Sequence, residues 1–346
     1  MASATFTSAS ISRTYASNRD PLDVALGDFN CDGDIDVAVA TSGTHTISIH
    51  WNDGTGDLSK RTDVWVSGET DRVAAEWNDF ANVFEIEVGE FDGNEGDDIV
   101  IYQRNNPFKQ DENGNPAGEP GNVTFLNNNG CSDDGFTIGQ RYSHFYAWDL
   151  AAGDLDGDGN DDVLVVDLLA DITSQRLVMY QGPITSSTQA KTMSLGPSTT
   201  ARYLEVRIGD WGESQVGGTS GSCFDEDAWL MRERGADYTT GQYTTQGDDD
   251  NITVVEFNCL TDTFPTDIAT ANPHTIQMGA RWGDHSIGDM NGDGTIDVVA
   301  MTDGNVENMT YKTSSSVGTW SNSQLAYFGP YIAWYGFIAD LNGDFE

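Results

Sequence analysis

Apolar and polar positions fall into short runs that end in turn residues. Val37–Thr41, Thr46–Trp51, Asn122–Leu126, Arg176–Tyr180 and Ile252–Phe257 are rich in β-branched and aromatic residues and are bounded by Gly, Asn, Asp or Ser. Such runs predict strands. No segment carries an apolar stripe at helical spacing, so the chain is expected to be all-β. The first stretch reads as strand A near 22–28, an acidic loop, strand B at Val37–Thr41 and strand C at Thr46–Trp51. A turn at Asn52–Gly56 and strand D near 60–66 complete the unit.

The acidic loop recurs. Its oxygen-bearing side chains, at nearly every second residue, are Asp28, Asn30, Asp32, Asp34 and Asp36 in the first copy and Asp154, Asp156, Asp158, Asn160 and Asp162 in the third. A looser second copy offers Glu90, Asp92, Asn94 and Asp98, and another clean copy offers Asp289, Asn291, Asp293, Thr295 and Asp297. Asp340, Asn342 and Asp344 begin one more. Val206–Gly212 has the right beginning at Asp210, but an insertion separates it from Asp225–Leu230, which predicts a broken or remodelled loop.

First positions 28, 90, 154, 210, 289 and 340 lie 62, 64, 56, 79 and 51 residues apart. That period is too long for a hairpin and suits one four-stranded sheet per repeat, which predicts a β-propeller over residues 1–346 as one domain. Six blades are expected, with seven as the alternative. A strand near 4–16 is expected to pair with one near 331–342 and close the ring, because pairing the termini removes exposed edges.

Composition narrows the setting. Against 56 acidic residues stand 16 basic ones, giving a formal net charge of −40 and a pI near 4.1. Only four of the basic residues are lysines. Nucleic acid is excluded as a partner, since phosphate binding needs basic patches. The aromatic and β-branched content is too high for a disordered acidic tail. An acidic, lysine-poor yet well-cored chain fits a salt-in halophile, where a Debye length of roughly 3 Å at 1 M salt screens carboxylate repulsion. No run of about 18 apolar residues exists, so no membrane insertion is expected. Met1–Thr7 is neither basic nor followed by an apolar core, which does not read as a signal peptide. An extracellular or virion-surface location is nevertheless the expectation.

Oxygen donors at this spacing, in loops kept tight by glycine, can converge on one hard cation such as Ca²⁺, with Mg²⁺ a competitor in high salt. Solvated acidic turns are the plainer alternative. An EF-hand also opens Asp-x-Asp-x-Asp-Gly, but its twelfth position must be a bidentate Glu between helices. Here that position is Val39, Val165 or Ala300, within apolar strands.

Position, spacing and period together resemble the FG-GAP or VCBS repeats of integrin-α-type propellers, from about Leu22 to Asp344. The resemblance implies a Ca²⁺ loop between strands A and B of each blade. Positions 1, 3, 5 and 9 would supply side chains and position 7 a backbone carbonyl.

An aromatic precedes five of the six first positions by six or seven residues: Phe84, Trp148, Tyr203, Trp282 and Trp334. These predict either packing between blades or a stacking platform for sugars. Long connections at 67–82, 104–121 and 232–251 should emerge on the face opposite the metal loops, where Trp77, Phe108, Tyr238, Tyr243, His144 and His285 are candidate contacts. Cys223 and Cys259 fall in loops of one repeat, Cys31 and Cys131 in neighbouring repeats, and either pair can bridge. No GxSxG, HExxH or P-loop motif is present. The expected function is non-enzymatic recognition of a cell-surface glycan or glycoprotein, as a viral host-attachment protein or an adhesin. The rivals are a polysaccharide lyase or hydrolase and a structural subunit of a virion or surface assembly.

Overall fold

Strands that are apolar on both faces need a neighbouring sheet on each side. In the computed structural model that demand is met by a succession of sheets packed face to face. The structure describes residues 21–41, 46–66, 82–104, 120–128, 130–131, 135–169, 174–197, 201–209, 227–234, 236–237, 242–243, 251–255, 264–271, 273–277, 285–288, 296–302, 307–312, 314–316, 319–320 and 324–329.

Blade 1 is β1 (Pro21–Gly27), β2 (Asp36–Thr41), β3 (Thr46–Trp51) and β4 (Lys60–Trp65). Blade 2 is β5 (Asn82–Gly89), β6 (Asp98–Arg104), β7 (Gly121–Asn128) and β8 (Phe136–His144). Blade 3 is β9 (Tyr146–Gly153), β10 (Asp162–Leu168), β11 (Ser174–Tyr180) and β12 (Lys191–Pro197). Blade 4 has β13 (Ala201–Gly209) and β14 (Asp227–Arg234), a small hairpin of β15 (Ala236–Asp237) and β16 (Gln242–Tyr243), then β17 (Asn251–Val255) and β18 (His274–Gln277). Blade 5 has β19 (His285–Gly288), β20 (Asp297–Thr302) and β21 (Glu307–Lys312), the short pair β22 (Ser314–Ser316) and β23 (Thr319–Trp320), and β24 (Gln324–Gly329).

Each blade is a four-stranded antiparallel meander, and the inner strands β1, β5, β9, β13 and β19 touch in succession. This is an all-β propeller. The described residues form five four-stranded sheets, one for each of the first five repeats, where six or seven blades are expected of the whole chain. The segments expected to close the ring, 4–16 and 331–342, lie outside the described residues.

Strand alternation explains the core. Ile99 and Ile101 pack with blade 1 residues such as Ile47 and Ile49, while Val100 and Tyr102 pack with Leu150, Val163 and Val165 of blade 3. Leu164 and Val166 then face Leu230 of blade 4, whose Trp229 and Met231 face Val298 of blade 5. Burying both faces is why strand B of each repeat reads as a continuous apolar run.

Two further devices fix the blades. Strand A slips register just before an acidic residue, at Asp23, Glu85, Asp149 and Glu205, which makes Leu22, Phe84, Trp148 and Leu204 the extra residues of β-bulges. The outer edge of blade 3 is covered by residues 264–271 of blade 4: Ser194 N donates to Thr266 O at 2.9 Å, and Ile268 N donates to Ser194 O at 2.9 Å. Covering an edge strand removes a template for unwanted pairing.

Candidate metal loops and the strand ends around them

The A–B turns of blades 1, 2 and 3 share one hydrogen-bonding plan. In blade 3, Asp154 Oδ1 accepts from Gly157 N and Asp158 N, and Oδ2 accepts from Gly159 N. In blade 1, Asp28 accepts from Asp32 N and Gly33 N, and Asn30 Oδ1 accepts from Asp32 N as Asp156 Oδ1 does from Asp158 N. In blade 2, Glu90 Oε1 accepts from Gly93 N. The first side chain therefore curls the loop around itself, and glycines with positive φ make the curl possible at Gly157 (73°) and Gly159 (92°).

The curl gathers oxygens. One carboxylate oxygen from each of Glu90, Asp92 and Asp98 lies within 4.8 Å of the others, and the same holds for Asp154, Asp156 and Asp158. A Ca²⁺ about 2.4 Å from each donor fits such a span, and an all-oxygen set suits a hard cation. Asp28, Asn30 and Asp32 repeat the backbone plan with an amide oxygen at the third position. The third-position carboxylates are oriented by amides from the end of strand C: Asn127 Nδ2 donates to Asp92 at 2.9 Å, and Gln181 Nε2 donates to Asp156.

The ninth position does a second job. Asp36, Asp98 and Asp162 are buried, and each ties its loop to the end of its own strand C. Asp162 accepts from Leu155 N at 3.1 Å and Gly182 N at 2.8 Å; Asp98 accepts from Phe91 N at 3.1 Å and Asn128 N at 2.6 Å; Asp36 accepts from Phe29 N at 3.3 Å and Asn52 N at 2.7 Å. Burial pushes Asp98 up to about 7 and Asp162 up to about 8, and it raises Asp36 too; neighbouring loop carboxylates add to each shift. Gly209 pairs with Asp227, which puts Asp227 in the same place in blade 4, buried like the rest. Asp297 is the buried equivalent in blade 5. The rest of the blade 4 loop, including Asp210, lies outside the described residues. So do Asp289, Asn291, Asp293 and Thr295 of blade 5, and Asp340, Asn342 and Asp344.

The eighth position, not singled out in the sequence, joins blades. Asp97 Oδ2 accepts from Asp28 N at 2.7 Å and Asp161 Oδ2 accepts from Glu90 N at 2.8 Å. Asp161 N returns a bond to Glu90 O at 2.8 Å. Cys31 and Cys131 form a disulfide across the same boundary between blades 1 and 2, with Cα atoms 5.0 Å apart. Cys223 and Cys259 lie outside the described residues.

Farther along the inner strands, the bulge acids form a second joint that the sequence reading also missed. Asp23 accepts from Ile86 N of the next blade at 3.1 Å, Asp149 from Val206 N at 2.8 Å, and Glu205 from His285 N at 3.1 Å. Each acid stands five residues before its loop, so the column was present in the sequence. Here Glu85 Oε2 is fully buried and accepts no hydrogen bond, and Arg207 reaches Asp149 at 2.7 Å. Burial and the nearby charges of Asp149 and Asp23 raise Glu85 well above its ordinary value, and burial pushes Glu87 up to about 8.

The proposed contact face changes. His144 and His285 are each 1% exposed, so neither ring is presented at a surface. His144 Nε2 lies 2.8 Å from the Tyr180 hydroxyl and Nδ1 lies 3.2 Å from Asp167 Oδ2, which also receives Arg176 at 2.8 Å. His285 Nδ1 lies 3.0 Å from Glu205. Burial and carboxylate partners on the adjoining blade make both of them ties between blades. Tyr203 is buried in the core between blades 3 and 4, and half-buried Trp148 packs against it, which favours the packing reading of the aromatic column. Tyr243 falls on β16; Trp77, Phe108, Tyr238, Trp282 and Trp334 lie outside the described residues.

No family model and no curated protein matches the chain. Among solved structures it is similar to the propeller of Dos1, with a TM-score of 0.44 and 10% identity over 86% of this chain and 58% of that one. It is also similar to a mutant Aleuria aurantia lectin in complex with alpha-methyl-L-fucoside, with a TM-score of 0.45 and 11% identity over 91% of this chain and 80% of that one. The chain thus spans less than two thirds of the Dos1 chain.

Proposed function

We propose that this chain is a non-enzymatic recognition propeller stiffened by Ca²⁺ in its A–B loops, in the manner of FG-GAP or VCBS repeats. The observation that carries this reading is the linkage between loops. Carboxylate oxygens gather in the A–B turns of blades 2 and 3, blade 1 repeats their backbone plan, and the backbone of each first position in blades 1 and 2 is bonded to the next blade. Filling such loops stiffens a disc and does not assemble one reaction centre.

The two histidines that a polysaccharide lyase or hydrolase would have used are buried ties. Burial raises the Tyr180 phenol above its ordinary value, the wrong direction for a base. The partner is a cell-surface glycan or glycoprotein, and the setting is the extracellular or virion surface of a halophile. Supporting that setting are the charge of −40 and an interblade disulfide, which belongs to oxidising surroundings.

The test is binding of the full chain, in molar salt, to halophile cells and to a glycan array. Trimming 104–121 or 232–250 should abolish the signal, and chelation should weaken it. Turnover of surface polysaccharide that disappears with His144→Ala would overturn the binder reading in favour of an enzyme. Assembly into filaments without cell binding would overturn it in favour of a structural subunit.

A further inference from the structure

The fourth loop position is a glycine with positive φ in blades 2 and 3, Gly93 at 77° and Gly157 at 73°. Blade 1 has Cys31 there, at φ 57°, a conformation that L residues avoid and glycine adopts freely. The side chain at this one place is not free: it is bonded to Cys131, itself at φ 55°, in the C–D connection of blade 2.

The neighbourhood is shaped to admit the bridge. A Cβ on Gly96 would come within 3.2 Å of Cys31 Sγ and 2.8 Å of Asn128 Nδ2. That Nδ2 in turn donates to Phe29 O, in loop 1, at 2.6 Å. The glycine that sits at the seventh position of repeat 2, where other copies place one at the sixth, is therefore accounted for by the neighbouring blade's joint. At the boundary between blades 2 and 3, Gly93 faces Asn160 and Pro183, with its Cβ site 3.4 and 3.9 Å from them and no covalent link.

We propose that the Cys31–Cys131 disulfide replaces the fourth-position glycine of loop 1. It holds Cys31 in the left-handed conformation in which Asp28 and Asn30 both accept from Asp32 N, and so sets the divalent-cation affinity of that loop. This inference rests on the cation reading above. It makes Cys31 and Cys131 positioning residues for the first site and leaves the loops of blades 2 and 3 independent of redox state.

The experiment compares two disulfide-free full-length chains, Cys31→Gly/Cys131→Ser and Cys31→Ala/Cys131→Ser, with wild type by Ca²⁺ titration calorimetry in molar salt. Asp28→Asn identifies the loop 1 site as the one that vanishes. The glycine variant should match wild type at that site. The alanine variant should bind there about tenfold more weakly, the factor to which the left-handed penalty of an L residue converts. The remaining sites should be unchanged in both. A bridge that merely cross-links would lower thermal stability in both variants alike and leave their affinities equal, which overturns the inference. Weakening in the glycine variant as well overturns it too. If wild type binds no Ca²⁺ at any loop, the cation reading fails and this inference with it, an outcome distinct from sites that are present but indifferent to residue 31.

Discussion

Asp97 Oδ2 accepts the backbone N–H of Asp28 at 2.7 Å, so the eighth position of one loop fixes the first position of the loop before it. Asp161 repeats this for Glu90 at 2.8 Å. An acidic loop in this propeller is therefore not a property of one blade: the backbone of its first position is held by a carboxylate of the neighbour.

Replacing Asp161 with alanine leaves the half-buried Glu90 N without its acceptor, which should cost about 1 kcal/mol, the low end of the penalty for an unmet donor. Asp161→Asn keeps an acceptor oxygen and should be close to neutral. Denaturant unfolding in molar salt would measure both. Equal losses for the two substitutions would mean that the charge, and not the bond across the blade boundary, is what matters.

Removing the cations should loosen the disc. A site filled at a hundred times its Kd contributes about 2.7 kcal/mol, so chelation at constant ionic strength should lower Tm. Asp154→Asn should recover part of the chelated phenotype without a chelator. A Tm indifferent to chelation would return the acidic loops to solvated turns.

The sequence displayed the repeat, the four-strand unit and three acidic loops, because such a loop between apolar strands writes its whole pattern into nine consecutive residues. Asp154 to Asp162 could be read directly. The joints could not be read as readily, because their partners lie far apart in the chain: Asp97 meets Asp28 across 69 positions and Asp149 meets Val206 across 57. Only the column of acids five residues before each loop, Asp23, Glu85, Asp149 and Glu205, pointed to them. His144 and His285 misled for the opposite reason. A histidine near aromatics looks the same in sequence whether it faces solvent or a buried carboxylate, and Asp167 and Glu205 decide the matter only in three dimensions.

Glu87 gives the fold a pH dependence of definite sign. Burial lifts it to about 8 from an ordinary value of 4.5, with Arg207 opposing the shift. The folded chain then holds a proton that the unfolded chain has released. The stability from this group is fully present below about 4.5 and is lost as pH rises towards about 8. Its slope is at most about 1.4 kcal/mol per pH unit. With Ca²⁺ in excess, Tm should fall between pH 5 and 8, and Glu87→Gln should flatten that fall. A Gln variant with the wild-type profile would assign the dependence to other carboxylates.

The cluster of His144, Asp167, Arg176 and Tyr180 should govern stability and leave recognition alone. Asp167 and the His144 ring are fully buried, and the Asp167 carboxylate is shared between His144, Arg176 and the backbone N–H of Tyr146. Breaking such a buried pair by removing one partner typically costs about 3–5 kcal/mol. Asp167→Ala should therefore lower the unfolding midpoint sharply. It should take His144→Ala with it non-additively, because both remove members of one network. Tyr142 stacks on Tyr180 at 4.2 Å between ring centroids, so its replacement by leucine should cost less, leaving the polar network intact. Cell binding measured well below each variant's midpoint should equal wild type. A binding loss in His144→Ala at full folding would place the cluster in the recognition machinery instead.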